Sequence, residues 1–127
     1  MHVAEKILRF LLASWALVYA YDVYFDRISW PEPAVEGQDI LISMEATGYM
    51  WELIGAVFLI SGILLFFCKR FVGLALVMIA PITVNIIFFH IYLDRNLANA
   101  IWGIGLFSLN IAVAVFNWRG LRSLVGR

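Results

Sequence analysis

The chain has 127 residues, 64% of them hydrophobic and 14% charged, with a formal net charge of +0 and a mean hydropathy of +0.91. That composition excludes an ordinary soluble domain and leaves room for one compact membrane bundle. No nucleic-acid partner is expected, and the lipid bilayer is the first partner implied.

The first apolar stretch covers residues 7–25. Roughly 20 apolar residues suffice for a helix to cross a hydrocarbon core about 30 Å thick. A basic flank precedes it and Val18-Tyr19-Ala20 is a tolerable cleavage pattern, but the run continues through Tyr21, Val23, Tyr24 and Phe25. It is therefore read as a retained helix rather than a signal peptide. Arg9 is expected to extend its stem back to the headgroups. The far end, Tyr19 to Asp26, is an aromatic belt with two carboxylates, the kind of segment that settles at an interface.

The loop over residues 27–48 contains Trp30-Pro31-Glu32-Pro33, which proline restricts to extended backbone. A short helix over residues 39–47 should follow, capped by Asp39 and stopped by Gly48. Ile40, Leu41 and Met44 would form its apolar face, with Gln38, Asp39 and Glu45 wet. It should lie on the bundle as a strap parallel to the membrane.

The second span covers residues 50–67, where Gly55, Ser61 and Gly62 permit close helix approach. The third, residues 71–93, contains Pro81, which should kink it, with Thr83 and Asn85 available to satisfy the freed backbone. The fourth covers residues 97–118, and residues 120–127 are read as a short basic stub. The expected fold is thus all-α, a four-helix integral membrane bundle forming a single domain. With the connections placed on alternating sides, every Lys and Arg except Arg27 and Arg95 falls on one side. Positive residues near spans stay in the cytoplasm, so both termini are predicted to be cytoplasmic.

Cys68 is the single cysteine, so a disulfide-exchanging Cys-x-x-Cys pair is excluded. His2 is terminal and leaves His90 alone, too few for a bis-His haem, and no metal site is expected. Asp22, Glu52, Asn85 and His90 all fall at similar depth in the outer half of the bilayer, counting ~1.5 Å per residue. Ionisable groups in spans usually face the bundle interior or a wet cavity. These four therefore form the candidate outer polar pocket, rimmed by Tyr19, Tyr49 and Trp51. Each also has a structural alternative: Glu52 as a first-turn carboxylate on the helix dipole, Asn85 as repair of the proline kink.

Thr47-Gly48-Tyr49 and the run from Arg70 to His90, above all Ala80-Pro81, Asn85 and Phe89-His90, resemble the DoxX-like family of small bacterial membrane proteins. The resemblance implies a four-helix bundle in the bacterial inner membrane with both termini inside. It also implies a link to thiosulfate:quinone oxidoreductase or redox-defence complexes. Members often carry a Lys and a Glu in the second helix, where this chain has Gly55 and Phe58. The expected function is a non-catalytic accessory or interaction subunit, with a membrane protein partner or a homo-oligomer. The alternatives are a quinone- or sulfur-linked oxidoreductase component and a small solute or lipid transporter. No cofactor is required by the residues, though a quinone or lipid would suit the pocket.

Overall fold

The computed structural model describes residues 3–25, 34–93 and 97–126. Residues 30–33, expected to be extended, lie outside that set, as do His2, Arg27, Arg95 and Arg127. The described residues are almost entirely helical. They form α1 (Val3–Phe25), α2 (Val35–Ala46), α3 (Met50–Phe67), a 3-10 turn (Lys69–Phe71), α4 (Val72–Phe88), a π-helical turn (Phe89–Leu93), α5 (Leu97–Phe116) and α6 (Trp118–Val125).

The four long helices close a ring in which α1 packs on α3, α3 on α4, α4 on α5 and α5 back on α1. Small residues set its closest side. α1 buries Ala13, Ala16 and Ala20 on one stripe, and α3 answers with Gly55, Ser61 and Gly62. A Cβ added at Gly62 would come within 2.7 Å of Leu17 and 3.3 Å of the Ala13 carbonyl. Such close approach lets dispersion hold the pair together where lipid supplies no hydrophobic drive. Around this seam Leu12, Phe58, Leu65, Leu76, Ile79, Leu106 and Val113 fill the ring's centre, each at most 2% exposed.

Among the described residues, three segments are long and apolar enough to cross a membrane: Met50–Phe67, Lys69–Leu93 and Leu97–Phe116. α1 has the length at 23 residues but carries Glu5, Lys6, Arg9 and Asp22, and is not among them.

Several boundaries depart from the sequence expectation. α2 starts at Val35 rather than at Asp39, its first turn closed by Gln38 N–H donating to the Ala34 carbonyl at 2.9 Å. Gly37 is buried within it, so packing outweighs the poor intrinsic helix propensity of glycine. The earlier start also rotates the face: Leu41, Met44 and Gln38 turn partly inward while Ile40 is exposed. Gly48 does end the segment, with φ of +76°, a conformation that costs glycine little. Beside it the Thr47 hydroxyl accepts the Met50 N–H at 3.1 Å, closing the start of α3.

α4 runs as α-helix through Pro81. Thr83 Oγ1 donates to the Ile79 carbonyl at 3.0 Å rather than serving the Val77 carbonyl that the proline leaves free. Beyond Phe88 the winding changes to the π turn that contains His90. The basic stub is in fact a helix, α6, set off from α5 by a turn at Asn117.

Candidate functional site

At one end of the ring, the last turn of α1, the end of α2, the Gly48-Tyr49 turn and the first turn of α3 enclose a cavity of about 410 Å³. Its lining includes the carboxylates of Asp22, Glu45 and Glu52, the rings of Tyr49 and Trp51, and Met44. Tyr24 fixes one wall by donating its hydroxyl to the Glu52 carbonyl oxygen at 3.0 Å. Gly55 lets that wall close, because a Cβ there would lie 2.9 Å from Val23 and 3.0 Å from the Tyr24 ring. Asp22 and Trp51 are half-buried, whereas Glu45, Tyr49 and Glu52 are exposed.

Two of the four residues singled out by depth, Asp22 and Glu52, thus share one cavity, together with the rim residues Tyr49 and Trp51. Asn85 and His90 do not line it. Asn85 sits on an exposed face of α4, and His90 is half-buried in the π turn with its ring edge-on to Phe89 at 5.1 Å. Tyr19 lies deeper, stacked on Phe58 at 5.4 Å between ring centroids. The residues on α1 and α3 thus meet and those on α4 and the π turn lie elsewhere, because similar depth says nothing of helix rotation. Met44 and Glu45, expected only as the apolar and wet faces of the strap helix, also line the cavity.

Chemically the cavity is acidic and aromatic. An ionised carboxylate only accepts hydrogen bonds, so cations and hydrogen-bond donors are what these three carboxylates can hold. Among the described residues, no three His, Cys, Asp or Glu side chains converge closely enough to bind a metal ion. Compared with family models, with curated proteins and with solved structures, the chain matches none. Its chemistry is therefore read from its own residues.

The opposite end holds a polar cluster that sequence reading did not find. Arg9 does not reach for the headgroups; it is 6% exposed and lies inside the ring. Its Nε is 3.3 Å from Glu5 Oε1, one turn earlier on α1. Asn117 Nδ2 donates to the same Glu5 oxygen at 3.1 Å and to the Val113 carbonyl at 3.3 Å. Arg9 Nη1 donates to the Leu65 carbonyl of α3. That carbonyl needs an outside donor because the chain leaves the helical path at Cys68, with φ of −118° and ψ of 77°. Arg9 thus caps α3 and meets the negative end of its dipole. The available signal was the four-residue spacing of Glu5 and Arg9, which places them on one helix face.

Proposed function

We propose that this chain is a small bacterial inner-membrane protein of DoxX-like type, with α1 as a fourth span and both termini cytoplasmic. Its role is that of a non-catalytic accessory subunit that binds other membrane components through its outer surfaces. The observation that carries this reading is the contrast between a filled interior and an apolar exterior. Leu12, Phe58, Leu76, Ile79 and Leu106 occupy the centre of the ring. Each of the three apolar segments, by contrast, buries only 28–33% of its residues within the bundle. Leu53, Ile60, Ile63, Val77, Ile101, Trp102, Ile111 and Val115 all face outward. An apolar surface of that extent is stable only against lipid or another protein.

α1 qualifies as a span because its charges are placed where a bilayer tolerates them. Glu5 and Arg9 neutralise each other near one end, and Asp22 opens to the cavity at the other. The lopsided distribution of Lys and Arg supports the cytoplasmic termini. Purification of the tagged chain in a mild detergent tests the subunit role. The expected result is a stoichiometric membrane partner; a lone monomer keeping the thermal stability it has in native membranes would contradict it.

A second reading, a quinone- or sulfur-linked component of an oxidoreductase, draws support from the cavity beside Tyr49 and Trp51. With His90 outside the lining, the Tyr49 hydroxyl and the Trp51 indole N–H are the neutral donors available to a ring carbonyl. Loss of quinone-linked activity of the assembled complex on Tyr49→Phe would favour this reading.

A further inference from the structure

Where α3 turns into α4, the chain gathers four cations on two elements that both touch α4. The 3-10 turn exposes Lys69 and Arg70; α6 exposes Arg119 and Arg122. None of the four has an ion-pair partner among the described residues, and the nearby carboxylate of Glu5 is held by Arg9 and Asn117.

α6 is docked rather than dangling. A Cβ at Gly73 of α4 would lie 3.3 Å from the Gly120 backbone and 3.3 Å from a Leu124 methyl, so two glycines meet where the helices cross. Leu121 packs against the core. With ~100° between successive residues, Gly120, Leu121 and Leu124 share the side turned to the bundle. Arg119, Arg122 and Ser123 take the other side. Trp118 and Val125 fall between the two and stay 61% and 91% exposed. Docking therefore uses only part of the apolar arc. What remains outward is a tryptophan, a valine and half of Leu124 beside guanidinium groups, at the level where the apolar segments end.

We propose that α6 and the Lys69–Phe71 turn form a docking surface for the anionic phospholipid headgroups of the membrane that holds the bundle. This rests on the membrane placement above. Guanidinium forks match phosphate geometry, and an indole beside them settles at the water-lipid boundary. Juxtamembrane Lys and Arg are each drawn to an anionic leaflet strongly enough to change affinity about fivefold. Four together, on a rigid scaffold, select anionic over zwitterionic lipid. The committed partner is the lipid leaflet; the exposed Trp118 and Val125 give it an apolar foothold that a free phosphate would not use.

The test uses the full chain reconstituted in vesicles of phosphatidylcholine, alone or mixed with phosphatidylglycerol. Lipid retained after gentle detergent release is counted by native mass spectrometry. Phosphatidylglycerol should be retained over phosphatidylcholine by about tenfold or more, and the preference should shrink as salt rises. R119Q with R122Q should remove most of it, while Arg→Lys at both positions should keep part. Equal retention of both lipids by the unaltered protein would overturn the proposal. So would a preference that R119Q/R122Q leaves intact, or one that high salt does not touch. Flotation of the same vesicles separates the two layers of argument. Protein that floats with either composition but shows no preference overturns lipid selection alone; protein that floats with neither overturns the membrane placement as well.

Discussion

The two ends of the ring hold the same kinds of side chain in opposite states. At the α3–α4 end, Glu5, Arg9 and Asn117 are withdrawn from solvent and bound to each other and to a helix carbonyl. At the other end, Asp22, Glu45 and Glu52 line an open cavity whose described lining contains no Lys, Arg or His. The difference lies in what each end can supply. An ion removed from water must find a partner nearby or cost several kcal/mol, so the inner charges are committed to holding helices together. Carboxylates that keep their water, as the exposed Glu45 and Glu52 do, have no such obligation. One end is a joint, the other a mouth.

The sharpest way to break that contrast is to remove one member of the joint. Arg9→Ala leaves Glu5 buried without its cation and strips the donor from the Leu65 carbonyl. It should destabilise the protein by about 3–5 kcal/mol in denaturant titrations in detergent. Replacing both Glu5 and Arg9 by leucine and methionine should restore most of the loss, because the cost lies in the orphaned charge. Next in size is Gly62→Ala, which forces α1 and α3 apart at their tightest crossing. A loss of about 1–3 kcal/mol is expected, with Leu17 shifting to make room. Asn117→Ala removes one hydrogen bond to a charged acceptor, about 1.5–3 kcal/mol at most since the Arg9 contact persists. At the open end, Glu52→Gln should leave unfolding unchanged within about 0.5 kcal/mol. A large loss there would mean that the mouth is built like the joint.

Much of this architecture could be read from the chain, and the failures have physical causes. The span over residues 50–67 coincides with α3, since a Thr-Gly turn opens it and Lys69-Arg70 follows its end. Asp22 and Glu52 could be paired because each lies near the end of its own helix, where depth and position nearly coincide. Asn85 and His90 lie five positions apart, about 140° of helix, so no single rotation brings both to one cavity. The π turn alters the winding at His90 as well. Arg9 was assigned to the headgroups by its length and charge alone. The break at Cys68 that leaves Leu65 in need of a donor is a tertiary fact, invisible to composition. α6 was missed for a similar reason: eight residues make a marginal helix in water, and docking on Gly73 sustains this one.

Joint and mouth lie on opposite sides of the membrane only if α1 crosses it. With Cys68 replaced by serine, single cysteines at Val3, Asp39 and Gly126 can be challenged with a membrane-impermeant maleimide in intact cells. Asp39→Cys should react at once, while Val3→Cys and Gly126→Cys should stay protected until the cells are opened. Labelling of Val3→Cys and Asp39→Cys from the same side would show that α1 does not cross and that joint and mouth share one face of the membrane.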